Sequence, residues 1–169
     1  MLGYPGSGKS TVARMIATKL GAILISSDEI RKWMFSTQEE IINIKLNPYV
    51  FGALDYAAHT YLSAGSSVIY DANNNKRSVR NKKTKLLAAP TKTKTVVIWV
   101  KTPKKIAIER EKARSKNHEY LPIPRRRYEQ LVNALEPPHN SELLIEIDGT
   151  RSRSRQQSSF MKQYSDISS

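Results

Sequence analysis

Apolar and polar positions along the chain alternate between a helical period and short continuous apolar runs. From Lys9 to Leu20, Val12, Ile16 and Leu20 recur every four residues, which predicts a helix with one buried face, and Gly21 ends it. The run Ala22 to Ser26 predicts a strand. A short helix follows, beginning near Asp28, with Ile30, Trp33 and Met34 on one face and Trp33 assigned to the core. Asn47-Pro48 opens a longer helix, in which Phe51, Leu54, Ala58, Tyr61 and Leu62 make a buried stripe before Gly65. Ser67 to Tyr70 predicts the next strand, Lys76 to Ala89 a very basic helix, and Thr95 to Val100 a strand that is β-branched and aromatic. Pro103 opens another helix, where its missing N–H costs nothing. A basic stretch, a helix from about Pro124 to Leu135, a Pro137-Pro138 break and a strand from Leu143 to Ile147 complete the pattern. Asp148-Gly149-Thr150 reads as a turn, and a weakly amphipathic helix is expected over Gln156 to Tyr164.

Short apolar strands separated by helices imply an α/β fold with a mostly parallel sheet and helices on both faces, because parallel strands need crossover connections. In such sheets ligands bind at the carboxyl ends of the strands. The polar residues singled out below all fall at or just after such an end.

Composition narrows the chemistry. The 169 residues suit one domain spanning 1–169. There is no cysteine, and the three histidines (His59, His118, His139) are scattered, so disulfides, thiol catalysis and thiolate metal sites are excluded. Any metal is expected to be magnesium carried in with a nucleotide. No apolar run reaches bilayer length and Met1 to Ser10 carries no export pattern, so no membrane partner and a cytoplasmic location are expected. The formal net charge of +13 points to polyanionic ligands, nucleotides or nucleic acids, and a solvated basic surface is the alternative.

Gly3-Tyr4-Pro5-Gly6-Ser7-Gly8-Lys9-Ser10 matches G-x-x-x-x-G-K-[ST], and Thr11 opens the helix behind it. Glycines let backbone N–H groups curl around phosphates, and the helix N-terminus favours the same negative charge. Lys9 reaches the β and γ phosphates of ATP, and Ser10 offers a hydroxyl to Mg²⁺. A glycine-rich turn that merely caps a helix has no use for Lys-Ser at that spacing. Nucleotide contacts are therefore assigned to Gly3, Gly6, Ser7, Gly8, Lys9, Ser10 and Thr11.

Binding ATP does not separate a kinase from a switch or a motor, so the acceptor side carries its own signals. Ser27-Asp28-Glu29-Ile30-Arg31 puts a carboxylate just past the second strand and an arginine three residues on, on the same helical face. The carboxylate can take a proton from an attacking hydroxyl and the arginine can hold an anion; a helix N-cap at Asp28 with a solvated Arg31 is the alternative. Asp71-Ala72-Asn73 ends the third strand, where Asp71 can orient Arg31 or the acceptor, or the Asn73-Asn74-Asn75 run can simply mark a turn. Arg110 and Arg114 lie one helical turn apart, able to face one ligand or to remain a solvated charged helix. Lys76, Arg77, Arg80, Lys82, Lys83 and Lys85 are the candidate nucleic-acid contacts. Trp33 and Phe35 are candidates for stacking an acceptor base, against the core assignment of Trp33.

Together, G-x-P-G-S-G-K-S-T from Gly3 to Thr11, S-D-E-x-R from Ser27 to Arg31, D-A-N from Asp71 to Asn73 and R-x-x-x-R from Arg110 to Arg114 resemble the kinase module of the polynucleotide 5′-hydroxyl kinases. That group is close to the zeta-toxin and seryl-tRNA kinase-like P-loop enzymes. The resemblance spans nearly the whole chain, and the phosphate loop is its most specific part. It implies the three-layer P-loop NTPase fold, ATP and Mg²⁺ at Lys9 and Ser10, and Asp28 as general base. It also implies acceptor contacts at Arg31 and Asp71 with Asn73 nearby, and a lid over about 110–127 with Arg110 on ATP and Arg114 in catalysis. The activity implied is transfer of the γ-phosphate to a hydroxyl, foremost a 5′-hydroxyl of a nucleic acid or nucleotide. A small-molecule kinase acting on a sugar, nucleoside or antibiotic, and an ATP-binding regulatory module without transfer, stay open.

In that fold the phosphate loop hangs from a central strand, yet only Met1 and Leu2 precede Gly3. The first strand is expected to be truncated, leaving its neighbours without ladder partners at about 1 to 3 kcal/mol for each unmet buried group. The natural sequence is accordingly expected to start upstream of Met1.

Overall fold

The computed structural model of the chain describes residues 1–114 and 123–168. In chain order it contains α1 (Lys9–Leu20), β1 (Ile23–Ser26), α2 (Ser27–Met34), α3 (Gln38–Ile42), α4 (Asn47–Ser63), β2 (Val68–Asp71) and α5 (Arg77–Lys83). Then follow α6 (Ala89–Thr91), β3 (Val96–Lys101), α7 (Lys104–Arg114), α8 (Arg125–Asn133), β4 (Leu143–Asp148) and α9 (Arg153–Ser168).

The strands pair in parallel, as the alternating pattern requires, but in two pairs. β1 runs beside β2 with Ser26 opposite Asp71, and β3 beside β4 with Lys101 opposite Asp148. Met1 and Leu2 connect the pairs. The Leu2 N–H donates to the Ile98 carbonyl at 2.8 Å, the Leu2 carbonyl accepts from the Val100 N–H at 2.9 Å, and the Met1 amino group donates to the Tyr70 carbonyl at 3.2 Å. Burial lowers the pKa of that amino group to about 6. Beyond these contacts the facing edges of β2 and β3 line a cavity of ≈ 600 Å³. Leu2 is thus a single bridge position opposite Trp99, lying beside the edge of β3.

Apolar side chains cover both faces. Ile69, Ile98, Val100, Ile145 and Ile147 pack against Val12, Met15 and Ile16 of α1 and Phe160 of α9. Val68 and Tyr70, which flank Ile69 on β2 and so point the opposite way, pack with Ile25 against Ala58 of α4 and Leu87. Among the described residues no helix is long and apolar enough to cross a membrane.

Several elements depart from the periodic expectation. Trp33 is 82% exposed, not core, because α2 packs on α4 through Ile30 and Met34 and leaves Trp33 to solvent. Phe35 instead packs against the core. Tyr61 lies outside the buried stripe of α4, whose line runs through Val50, Leu54 and Ala58. The basic helix breaks after Lys83 into a π turn over Thr84–Ala88, closed by the Ala89 N–H on the Thr84 carbonyl just before Pro90, which has no N–H to continue an α ladder. Helix α3 went unforeseen, although Thr37 and Glu40 form a reciprocal capping box with a readable T-x-x-E signature.

Helix α9 is longer than expected because Phe160, fully buried and stacked on Tyr164 with centroids 5.4 Å apart, fixes it to the sheet. Phe160→Ala is expected to cost about 3–5 kcal/mol. Urea unfolding checks this as a lower midpoint at unchanged slope.

Candidate functional site

The phosphate loop connects Leu2 to α1, and three features shape it. Gly8 takes the N-cap of α1 at φ 97°, a left-handed conformation that no side chain occupies cheaply, so the helix N-terminus has no side-chain cap and no acidic residue in its first turn. Its N–H groups are thereby left for an external anion. Gly6 (φ 79°) lies against the Ala107 carbonyl of α7, into which any Cβ would collide. Ser7 is fully buried; its carbonyl accepts from the Thr102 hydroxyl at 2.9 Å, which pins the loop to the end of β3.

Lys9 folds over this loop, donating to the Gly3 carbonyl at 2.9 Å and the Tyr4 carbonyl at 2.8 Å. Burial lowers its pKa to about 8, against the opposing pull of Asp71, Asp28 and Glu111. The loop faces a cavity of ≈ 670 Å³, a size suited to a nucleotide. Gly3, Gly6, Gly8, Lys9, Ser10 and Thr11 line it. So do Asp28, Asp71, Asn73, Arg110 and Arg114, which brings most sequence-predicted residues to one place.

Asp28 enters the cavity from the first turn of α2. Ser26, not Asp28, occupies the N-cap position, so capping is not what fixes this aspartate. Loss of hydration first, and the neighbouring Asp71 carboxylate second, raise its pKa, while Arg114, Arg31 and Lys9 oppose the rise. Asp71, 5% exposed, sits opposite Ser26 in the β1–β2 register, which explains why the two carboxylates are neighbours. Asn73 lines the cavity, and its Oδ1 accepts from the Asn75 N–H at 3.2 Å. Arg110 donates to the Gly149 carbonyl at 2.8 Å, and Arg114 lies one helical turn further along α7.

Two sequence-predicted groups are placed differently. Arg31 does not line the cavity; it donates to the Ile41 carbonyl at 3.1 Å and to Asn47 Oδ1, tying α2 to the start of α4. Of the six basic residues at 76–85, Arg80 is buried in a two-point ion pair with Glu142 (2.6 and 3.0 Å) and Lys83 pairs with Asp55. Lys76, Arg77, Lys82 and Lys85 remain exposed. Within the lid region of about 110–127, residues 115–122 lie outside the described residues.

The structure adds residues that sequence inspection missed. Arg14, one turn beyond Ser10, lines the cavity, as do Gly149, Arg151, Arg153 and Gln156 after β4. The helical spacing 10–14 signals the first. The strand-end rule signals the second group, since β4 ends at the same edge as β1. A Cβ on Gly149 would collide with Thr102 Oγ1, so this turn packs directly on the loop.

The family described as AAA domain matches residues 1–138. No curated protein gives a match. Among solved structures, a sugar kinase from Janibacter sp. HTCC2649 superposes with a TM-score of 0.73 at 18% identity, covering 97% of this chain and 91% of that one. A gluconokinase from Sinorhizobium meliloti 1021 gives 0.69 at 20% identity, covering 98% and 90%. Chaetomium thermophilum Kti12, in complex with ADP-AlF3, gives 0.72 at 21% identity, covering 97% and 95%. The α/β fold of this chain is therefore the one these P-loop proteins share.

Lys9→Ala is expected to abolish binding of an ATP analogue in equilibrium titration. In the wild type the charged ammonium favours phosphate, so affinity is expected to be level below pH about 8 and to fall by up to about tenfold per pH unit above it. The same titration, repeated across pH, checks the sign: the free protein loses the Lys9 proton first, and binding above that point must take it back up.

Proposed function

The chain belongs to the AAA domain family, and from that premise we propose that it is an ATP-dependent kinase that moves the γ-phosphate onto a hydroxyl, foremost the 5′-hydroxyl of a nucleic acid or nucleotide. One observation carries this reading: a carboxylate of raised pKa, Asp28, faces the same cavity as Lys9 and the phosphate loop.

In the proposed reaction the loop N–H groups and Lys9 hold the β and γ phosphates, Lys9 exchanging the Gly3 and Tyr4 carbonyls for phosphate oxygens. The acceptor hydroxyl gives its proton to Asp28 as its oxygen bonds to the γ-phosphorus. The bond from that phosphorus to the β–γ bridging oxygen breaks, and ADP leaves. Arg110 and Arg114 lie where cations offset charge spreading over the transferred oxygens. Magnesium fits the donor set, because Ser10, Asp28 and Asp71 offer only oxygen to the cavity, and when bound at Ser10 it would neutralise phosphate charge. Asp71 and Asn73 line the acceptor side, and Arg31 is proposed to support it through α2.

The net charge of +13 and the exposed Trp33, two residues beyond Arg31, support a nucleic-acid acceptor. A second reading, phosphorylation of a small hydroxyl compound, is supported by the similarity of nearly the whole chain to a sugar kinase and a gluconokinase. Transfer from γ-labelled ATP to a panel of 5′-hydroxyl oligonucleotides, sugars and nucleosides separates the two.

Asp28→Asn is expected to slow single-turnover transfer by about two to four orders of magnitude with little change in ATP affinity. The wild-type rate should rise with pH through a midpoint above the ordinary carboxylate range, since Asp28 must lose its proton to act. Transfer by the variant at the parental rate would remove the general base.

If the acceptor is a single strand held by Lys76, Arg77, Lys82 and Lys85, four phosphate contacts predict about a 50-fold loss of oligonucleotide affinity between about 50 and 200 mM salt. A flat salt dependence would point to the small acceptor.

A further inference from the structure

Three consecutive asparagines follow β2 and Ala72, and the structure gives them separate roles. Asn73 is exposed at the cavity rim, while Asn74 and Asn75 are 8% and 2% exposed. The Asn75 side chain lies between two backbone groups far away in sequence. Its Oδ1 accepts from the Gly3 N–H at 3.2 Å, and its Nδ2 donates to the Leu131 carbonyl at 3.1 Å.

Both contacts fall at points that would otherwise be unmet. Gly3 opens the phosphate loop, where the chain has left its pairing with β3. Leu131 lies in the last turn of α8, where carbonyls run out of helical partners. A peptide N–H only donates and a carbonyl only accepts, so the group between them must offer one acceptor and one donor. Asparagine does so in a single orientation. Aspartate would set an oxygen against the Leu131 carbonyl, and alanine would leave both groups unmet.

The bridge is held rigidly. The Asn75 carbonyl accepts from the Glu136 N–H at 2.9 Å and from Arg80 Nη1 at 3.0 Å, and Asn73 holds its N–H. Arg80 is itself fixed by Glu142 and by the Asn74 and Pro137 carbonyls, so the frame behind Asn75 is a buried charged network. On the loop side, Gly3 passes the constraint on, because its carbonyl is one of the two acceptors of Lys9. One turn before Leu131, the Tyr128 hydroxyl donates to the Pro5 carbonyl at 3.3 Å, a second contact of α8 on the same loop.

We propose that Asn75 is a positioning residue for nucleotide binding: by joining the Gly3 N–H to the end of α8 it fixes the entry of the phosphate loop and the seat of Lys9. This rests on the reading of the loop as the nucleotide site. Asn75 acts through Gly3, so its loss relaxes the loop and weakens ATP binding more than it changes the acceptor requirement.

The test is equilibrium titration of the full chain with an ATP analogue, for wild type, Asn75→Ala and Asn75→Asp, each well below its own unfolding temperature. Affinity is expected to fall about tenfold or more in both variants, with faster hydrogen exchange at the Gly3 amide in Asn75→Ala. A merely structural role would lower the unfolding temperature and leave affinity of the folded protein unchanged. Should Asn75→Ala fail to fold, the near-isosteric Asn75→Asp carries the test. Affinities within twofold of wild type in the folded variants would overturn the proposal, while loss of binding in Lys9→Ala would keep the nucleotide reading standing beside that failure. Binding that survives Lys9→Ala undiminished would overturn both.

Discussion

Leu2 is the residue on which the two halves of the sheet and the phosphate loop all depend. Its N–H and carbonyl are taken by Ile98 and Val100 of β3, its side chain is fully buried, and the next residue already belongs to the loop. The loop begins one residue after this paired position. It is braced from outside, and the bracing is backbone packing: α7 against Gly6, the turn after β4 against Ser7, and the Val100 carbonyl close by Gly3. These approaches leave no room for a β-carbon, so the glycines there serve packing as much as flexibility.

The order of helices and strands was legible because apolar periodicity records burial, and burial in a sheet covered on both faces is nearly continuous along each strand. Val96 to Lys101 and Leu143 to Asp148 lie within one residue of their expected spans at each end. Periodicity misled where an element packs against one neighbour only. Ile30, Trp33 and Met34 share a helical face in projection, yet the contact with α4 is narrow enough to take two of them and leave the indole in water. Helix α3 escaped for the opposite reason: it is stabilised by its capping box, a local device that leaves no apolar stripe.

The candidate site was legible where chemistry is written in consecutive residues and illegible where it is assembled across them. Gly3 to Ser10 declares itself, and Asp28 and Asp71 follow from the rule that parallel sheets bind at their strand ends. Arg31 and Arg80 show the limit. Both are cations at suggestive spacings, but a guanidinium carries five donors, and the nearest acceptors took them: Ile41 and Asn47 for one, Glu142 and three carbonyls for the other. Spacing cannot disclose acceptors from distant segments. The same blindness made Asn75 look like one more turn residue, when its partners lie 72 positions before it and 56 after.

Burial links the acid–base character of the site to its architecture. Lost hydration lowers the pKa of Lys9 to about 8 and, with the like charge of Asp71, raises that of Asp28, while the opposing charges nearby restore only part of the shift. The two shifts answer differently to an arriving polyphosphate. Negative charge beside Lys9 restores its ammonium and strengthens its hold, whereas the same charge near Asp28 would push its pKa up further and hold the proton on. The general base proposed at Asp28 therefore needs cations nearby to offset that charge. Lys9 and Arg114 are the cations of this cavity that bear on Asp28 in the direction that releases its proton, and Arg114 weighs most among those opposing its rise. The placement of that arginine at the end of α7, a helix whose backbone already abuts Gly6, ties the ionisation of Asp28 to the same packing that shapes the phosphate loop.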